Sequence, residues 1–240
     1  MHYVVEYQDP GQTGGAPALA PLHERVVCPH SGQSNHFLLR DVRKAETWNI
    51  LRSDAEDPQR AHVESLIVDV YYAVHQARLS AFMPELFAIQ DEHQHPVAAI
   101  GMRRIDDQPI FLEQYLDTAV ELCVSDVAGT PVARSEIAEV GNLASVSLGG
   151  GRLLIAFMVH HLAACGIRYA VCTGTNAVRA ALKRMGVDFS LIREAQAERL
   201  GDALVHWGNY YQHNPYVLLV DIQRATRLLQ PHYHYDQGQA

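Results

Sequence analysis

The residues best placed to do chemistry lie in one stretch, in which AEVGNLASV (138–146) runs directly into SLGGGRLL (147–154). The first half predicts a β-strand, and the second predicts a glycine-rich turn that leads into a helix. The first backbone N–H groups of such a helix lack partners, and together with the helix dipole they form a site for phosphate. The stretch therefore predicts a phosphate-bearing carrier as ligand, although glycines before a helix also serve as plain turn residues.

Two polar side chains interrupt the predicted strand. Glu139 is a lone carboxylate that opens apolar sequence, and burial there would raise its pKa towards the range of a general base. The alternative is structural: Glu139 would bond a neighbouring backbone group or an arginine and order the strand. Asn142 is a candidate for orienting a substrate, with a structural or mixed role favoured.

Arg103 and Arg104 close another predicted strand, and successive side chains of a strand point to opposite faces. One of the two should therefore face inwards, where it could bind the carboxylate of a substrate. An ion pair with Glu113 or Asp117 is the favoured alternative, because arginine–carboxylate pairs are common without any function.

The composition indicates an ordinary globular protein. The chain has 240 residues, 48% hydrophobic residues and a formal net charge of -8, which suits one large domain. Without a basic stripe, nucleic acid is not expected as a partner. No apolar run reaches the length of a bilayer span, and residues 1–20 lack the basic start and apolar block of a signal peptide. We therefore expect a cytoplasmic protein.

The cysteines and histidines do not predict a metal site. The four cysteines include no CxxC pair, and Cys123, Cys165 and Cys172, which lie in apolar sequence, are expected to be reduced and buried. Cys28 and His30 lie near His36, but no fourth ligand follows at a useful spacing. We therefore expect no metal.

Periodicity divides the chain into a lead-in rich in Gly, Pro and Ala (1–35), a folded domain (36–225) and a polar tail (226–240). Residues 86–90 and 97–103 predict a hairpin. The other predicted strands are 36–40, 136–146, 168–173, 187–192 and 216–221, and the predicted helices are 57–83, 111–124, 150–165, 176–185 and 194–207. Strands that alternate with helices in the second half indicate an α/β sheet with parallel neighbours.

Longer motifs resemble known families. A hairpin, a central strand, a glycine turn and helix, then a strand and the helix TNAVRAALKRMGV (175–187) together resemble the GCN5-related acyltransferase superfold. The chain also resembles the thermostable hemolysin family of bacterial proteins, which in turn resembles acyl-homoserine-lactone synthases. The motifs that carry this second resemblance are RAHVE (60–64), FMPEL (82–86), FLEQYLD (111–117), EVGNLAS (139–145), LKRMG (182–186) and WGNYY (207–211).

The resemblance implies a GNAT-like mixed central sheet, flanked by helices, in which strands 136–146 and 168–173 splay apart. The pantetheine arm of an acyl donor would lie between these strands, and its phosphate would meet the glycine turn. The donor-binding residues implied in this way are Leu143, Ala144, Ser145, Gly149, Gly150, Gly151, Arg152 and Asn176.

By the same resemblance, Tyr210 or Tyr211 would protonate the departing thiolate, although aromatic packing is the commoner role for each. The chain departs from the superfold's usual phosphate loop, because no basic residue precedes the glycines and Arg152 follows them instead. This departure leaves acyl carrier protein as an alternative donor to coenzyme A.

The resulting hypothesis is an N-acyltransferase. It would move an acyl group, with long chains included, from acyl-CoA or acyl carrier protein to a small amine or amino acid. The alternatives are a non-catalytic ligand- or partner-binding member of this fold and a membrane-active hemolysin. The net negative charge and the lack of a basic amphipathic helix disfavour the latter. The sequence is compatible with a monomer or with a homo-oligomer.

Overall fold

The computed structural model describes residues 35–106 and 108–237. They form a nine-stranded sheet in the order β7-β8-β6-β5-β4-β3-β2-β1-β9. The strands are β1 (His36–Asp41), β2 (Glu46–Ser53), β3 (Glu85–Gln90), β4 (Pro96–Arg104), β5 (Ile137–Ser145), β6 (Tyr169–Gly174), β7 (Ser190–Glu194), β8 (Tyr216–Asp221) and β9 (Tyr233–Gln237). The predicted lead-in, apart from its last residue, lies outside the described residues.

Helices cover both faces of the sheet and divide the apolar interior into two cores. On one face α1 packs against β3, β4 and β5, and on the other α3 packs against β4, β5 and α5. The α-helices are α1 (Arg60–His75), α2 (Val120–Ala128), α3 (Gly150–Ala164), α4 (Asn176–Arg184) and α5 (Ile222–Leu229). The architecture is therefore a mixed α/β sheet between helical layers, as predicted.

The centre of the sheet contains a parting between two strands. β5 and β6 run parallel but pair only over their first residues, from Ile137 opposite Tyr169 to Glu139 opposite Val171. Beyond Glu139 each strand continues for several residues without pairing to the other. The two strands are thus adjacent and diverge at their C-terminal ends, which confirms the predicted splay.

The structure corrects the lengths of three predicted helices. The helix expected over 57–83 ends at His75, because Gln76 adopts the left-handed conformation that commonly ends a helix. The helix expected over 111–124 is a 3-10 helix (Phe111–Tyr115), an extended break and then α2. The segment expected as a helix over 194–207 is a 3-10 helix (Ala197–Trp207) kinked at Gly201.

The second half of the chain is less parallel than its alternation of elements suggests. Among the strands of residues 35–106 and 108–237, only β5 and β6 pair in parallel, and β8 inserts antiparallel between β6 and β7. Alternation along the chain does not decide this, because a strand's direction depends on which edge its connection reaches.

The C-terminal segment expected as a polar tail over 226–240 contributes to the sheet. Asp221 caps α5 by accepting a 2.9 Å hydrogen bond from the Arg224 N–H, and β9 then pairs antiparallel with β1. Tyr233 is buried against the core on the α3 side. The tail's polar character reflects an edge strand with one buried face rather than a segment outside the fold.

The cysteines differ in part from expectation. Cys123 and Cys172 are free thiols, whereas Cys165 is disulfide-bonded, so the prediction of a reduced thiol is wrong at that position. Within residues 35–106 and 108–237, no three His, Cys, Asp or Glu side chains group as a metal site requires. Among the helices of this described part, none is long and apolar enough to cross a bilayer.

Candidate active site

The parting of β5 from β6 is accompanied by a bulge on the other side of β5. The register of β4 against β5 shifts so that Ala99 faces Ala144 while Gly101 faces Gly141, and Asn142 has a φ of 51°. The buried Asn142 Oδ1 accepts a 2.7 Å hydrogen bond from the Met83 N–H. A bulge bends its strand, and here the amide side chain fixes that bend against the loop before β3.

The opening between the strands leads to an apolar cavity of about 70 Å³. It is lined mainly by aliphatic side chains and extends from the splay to the buried sides of α3 and α4. Lining residues include Val140 and Leu143 of β5, Ala170 and Cys172 of β6, Met158 of α3 and Leu182 of α4. Such a cavity suits a hydrocarbon chain, because burying each methylene contributes about 0.8 kcal/mol.

Glu139 lies at the apex of the splay, in the last residue pair that β5 and β6 share. Its side chain is buried, and Oε1 accepts a long hydrogen bond of 3.4 Å from the Leu112 N–H. Oε2 has no hydrogen-bond partner in the described part of the chain. Burial raises the pKa of Glu139 to about 7, although the nearby Arg103 charge opposes the increase. The carboxyl group is thus poised to exchange a proton near neutral pH.

The two arginines of β4 point to opposite faces, as alternation predicts. Arg103 faces Glu139 across the β4–β5 pair, and its charge lowers the pKa of that carboxyl group. Arg104 lies towards α3. Burial is the largest cause of the lowered pKa of His161 on that helix, and the charge of Arg104 lowers it further.

The prediction that Arg103 forms an ion pair with Glu113 or Asp117 is wrong. Glu113 binds Arg134 at 2.7 Å, and Asp117 binds Arg193 and Arg199. Arg103 makes no salt bridge with any residue in the two described ranges. Its half-buried guanidinium is therefore available to an anionic group beside Glu139.

The two candidate tyrosines occupy different environments. Tyr210 is completely buried, with its ring 4.9 Å from that of Trp207 and 5.3 Å from that of His75. Tyr211 is half-buried, and its hydroxyl lies 2.5 Å from the hydroxyl of Tyr115. Burial raises the pKa of Tyr211, so its phenol stays protonated at neutral pH. Of the two, Tyr211 is the better placed to give a proton to a ligand.

The glycine turn forms the start of α3 at the open end of the splay. Gly149 has a φ of 88° and precedes the helix, which explains why glycine stands there. The Ser145 hydroxyl donates a 2.9 Å hydrogen bond to the Ser147 carbonyl, and the Gly151 N–H has no carbonyl partner in the described chain. The exposed Arg152 extends past Gly149, so its guanidinium and the Gly151 N–H belong to the same turn.

Gly150 and Gly151 differ in the space around them, so their alanine variants should differ in affinity for the donor. A Cβ on Gly150 would lie 2.3 Å from Ser147 Oγ and 2.8 Å from Ser145 Oγ, whereas a Cβ on Gly151 meets nothing closer than 3.9 Å. We expect Gly150→Ala to distort the turn and weaken binding of a phosphorylated donor about tenfold, or about 1.4 kcal/mol. The matched Gly151→Ala should bind as tightly as the wild type. Isothermal titration with coenzyme A measures both, and equal affinities would contradict the role of the turn.

The end of β6 contributes one polar group that the sequence did not indicate, the hydroxyl of Thr175. Thr175 precedes α4, is buried, and its hydroxyl has no hydrogen-bond partner among the described residues. Asn176 is exposed, but its Oδ1 accepts a 2.5 Å hydrogen bond from Arg179 Nη2, so its side chain is already engaged. Cys172 is half-buried, and burial raises the pKa of its thiol to about 12, so the thiol is protonated at neutral pH.

Sequence reasoning also missed Tyr115. It lies in FLEQYLD, whose spacing predicts one face of a longer helix. The only signal of Tyr115 in the sequence is an aromatic residue at a helical spacing. The 3-10 helix places Leu112 against Glu139 and Tyr115 against Tyr211. Contacts between residues 27 and 96 positions apart leave no local pattern that could reveal them.

A mixed sheet whose central strands part beside a buried carboxylate and an apolar cavity defines the GCN5-related acyltransferase type of fold. The chain belongs to the thermostable hemolysin family, whose profile matches residues 53–226. No curated protein matches the sequence.

Two solved structures illustrate the fold. The acyl-homoserine lactone synthase LasI has a TM-score of 0.52 and 13% identity, covering 83% of this chain and 97% of LasI. FeeM, an N-acyl amino acid synthase from uncultured soil microbes, has a TM-score of 0.52 and 12% identity, covering 76% of this chain and 96% of FeeM. At these identities the likeness establishes the shared fold alone.

Proposed function

We propose that the protein is an N-acyltransferase that moves an acyl group from a thioester to a small amine. The observation that carries this proposal is the splay of β5 and β6, which has the buried Glu139 at its apex and an apolar cavity between its strands and α3. A fatty acyl chain in the cavity would bring its thioester to the splay, where the unpaired strand edges offer backbone hydrogen bonds. The cavity argues for acyl chains longer than acetyl.

The donor in this proposal is acyl-CoA or acyl carrier protein, both of which present an acyl-pantetheine arm. The backbone of Leu143, Ala144 and Ser145 would pair with that arm, because β6 leaves this edge of β5 open. The phosphate would lie on the turn at Gly149–Arg152, where the N–H donors and the guanidinium converge. Both donors form in the cytoplasm, where we place the reaction.

The chemistry needs one base and one acid. Glu139, with a pKa of about 7, would take a proton from the amine, which then attacks the thioester carbonyl. The C–N bond forms, the C–S bond breaks, and Tyr211 would give its proton to the departing thiolate. One proton leaves the amine and one reaches the thiol, so amine and thioester become amide and thiol without net charge change.

The acceptor in this proposal carries a carboxylate as well as its amine. Arg103 faces Glu139 and makes no salt bridge within residues 35–106 and 108–237, so it can bind an anionic group while the amine reaches the base. This arrangement supports an amino acid over a simple alkylamine. Arg104 points to the opposite face and would not contact the acceptor.

The proposed binding of the acceptor carboxylate predicts that substitutions of Arg103 and Arg104 affect the KM for amino acids differently. Arg103→Gln should raise the KM for amino acids about 10- to 100-fold, because a charge-assisted hydrogen bond of about 1.5–3 kcal/mol is lost. The KM for the corresponding amino acid amides, which lack the carboxylate, should hardly change. Arg104→Gln, on the other face, is the matched control and should leave both values unaltered. Equal losses for acids and amides would contradict carboxylate binding by Arg103.

The direct test of the function is an acyl-transfer assay with the purified full chain. Acyl-CoA thioesters of increasing chain length and the corresponding acyl carrier proteins are incubated with mixed amino acids, and products are identified by mass spectrometry while thiol release is followed spectrophotometrically. We expect N-acyl amino acids with a preference for chains longer than acetyl. Absence of any amide product with every donor would overturn the proposal and favour a non-catalytic role.

A further inference from the structure

Tyr115 is a buried phenol for which the reaction above has no role. It is 1% exposed, and its hydroxyl lies within hydrogen-bonding distance of the hydroxyl of Tyr211, at 2.5 Å. The two residues lie 96 positions apart, in the 3-10 helices Phe111–Tyr115 and Tyr210–His213. The contact gives the buried Tyr115 hydroxyl a hydrogen-bond partner, and that partner is the half-buried Tyr211.

The segment that carries Tyr115 is tied to the rest of the site at both ends. At its start, the Leu112 N–H donates to Glu139 Oε1. After its end, Arg199 donates to the Leu116 carbonyl at 3.1 Å and to Asp117 at 2.5 Å, and Arg193 also pairs with Asp117. The ring of Tyr115 packs edge-to-face against Phe111 at 5.9 Å. The hydroxyl of Tyr115 therefore has a fixed position, and Tyr211 must adjust to it.

We propose that Tyr115 is a positioning residue for proton transfer, which orients the Tyr211 hydroxyl and stabilises the phenolate that Tyr211 becomes. This inference rests on the proposed acyl transfer, with Tyr211 as the acid. When Tyr211 gives its proton to the thiolate, its oxygen becomes an anion in a low-polarity site. The Tyr115 O–H donates a hydrogen bond to that oxygen, and hydrogen bonds to ionised groups are about twice as strong as neutral ones. The contact therefore strengthens during the reaction, as catalysis requires.

Either hydroxyl can be the donor in the resting pair. Burial raises the pKa of both phenols, so both are protonated before the reaction. Once Tyr211 has given its proton to the thiolate, Tyr115 is the member of the pair that still carries a proton and can donate it in a hydrogen bond. Tyr211, at the less buried end of the pair, is the one that can reach a ligand.

The test uses Tyr115→Phe, which removes only the hydroxyl and keeps the ring against Phe111. The matched control is Tyr233→Phe, because Tyr233 is also buried and also loses one hydrogen bond, a 2.9 Å contact from Arg43 Nη2, at the far edge of the sheet. We expect Tyr115→Phe to lower kcat about five- to tenfold with the KM values of both substrates unchanged. Tyr233→Phe should match the wild type.

A double-mutant cycle separates positioning from general destabilisation. Tyr211→Phe should lower kcat about 100-fold, and the double variant Tyr115→Phe/Tyr211→Phe should be no slower, because Tyr115 acts only through Tyr211. Multiplicative effects, or a Tyr115→Phe enzyme as active as the wild type, would overturn the role of Tyr115 alone. An inactive wild type would overturn the proposed acyl transfer and this role together.

NMR of the protein labelled with ¹³Cζ-tyrosine tests the hydrogen bond without any catalytic assay. Tyr115→Phe should shift the Tyr211 signal. An unchanged Tyr211 signal would contradict a hydrogen bond between the two hydroxyls.

Discussion

Replacing Glu139 by glutamine should lower acyl transfer about 10²–10⁴-fold, the usual size of a general-base effect. Glutamine keeps the shape of the side chain and can still accept the Leu112 N–H, but it cannot take the amine proton. The turn and strand edge that would bind the donor are untouched, so the affinity for coenzyme A should stay the same. The measurement is kcat/KM from thiol release, together with coenzyme A binding by titration calorimetry.

The pH dependence of kcat/KM tests the role of Glu139 as general base in a second way. The base must be ionised to act, and burial has raised its pKa to about 7. The wild-type kcat/KM should therefore fall tenfold per pH unit as the pH drops below about 7, and level off above it. Glu139→Gln should lose this acidic limb, because glutamine does not titrate. A folded Glu139→Gln variant with full activity would end the general-base assignment; a fall in melting temperature for Glu139→Ala alone would then mark Glu139 as a structural anchor.

Filling the cavity should reverse the preference for chain length. Ala170 lies on β6 and faces the cavity between Met158 and Leu182. A leucine side chain there would occupy the space of several methylenes, and excluding about four of them at about 0.8 kcal/mol each costs roughly 3 kcal/mol. We expect Ala170→Leu to lower kcat/KM about 100-fold for long-chain donors while acetyl transfer changes less than twofold.

Two comparisons control this second experiment. Acetyl transfer by the same variant reports whether the catalytic groups stay in place. Ala170→Ser adds a hydroxyl without filling the space, so it distinguishes lost volume from altered polarity. A long-chain loss in Ala170→Ser as large as in Ala170→Leu, or an equal loss for acetyl and long chains, would contradict a role of the cavity in holding the acyl chain.

Local signals predicted the central elements of this fold. Two apolar runs joined by a polar turn predicted the β3–β4 hairpin, and the glycines after EVGNLAS predicted the passage from β5 to α3. The lone Glu139 in apolar sequence predicted a buried carboxylate, and its raised pKa follows from that burial. Each of these features depends on neighbours within a few residues, so the sequence contains the information directly.

The same local signals misjudged elements whose ends depend on distant partners. The apolar spacing over 57–83 continues past His75, but the chain leaves the helix there and the Asn209 N–H binds the His75 carbonyl at 2.8 Å. The polar residues after 226 concealed β9, whose pairing with β1 joins segments nearly 200 positions apart. Tertiary contacts override propensity where they satisfy backbone groups that a longer helix or a free tail would leave exposed.

The sequence by itself predicted the candidate base, the glycine turn before α3 and the family, whereas only the tertiary structure decided which side chains meet. It left Arg103 without a salt bridge among the described residues by giving Glu113 and Asp117 to other arginines, and it joined Tyr115 to Tyr211 across 96 positions. It also opened the cavity, because the pairing of β5 with β6 stops after Glu139. The physical reason is that strand pairing and salt-bridge choice are settled by competition among distant groups, which no local pattern records.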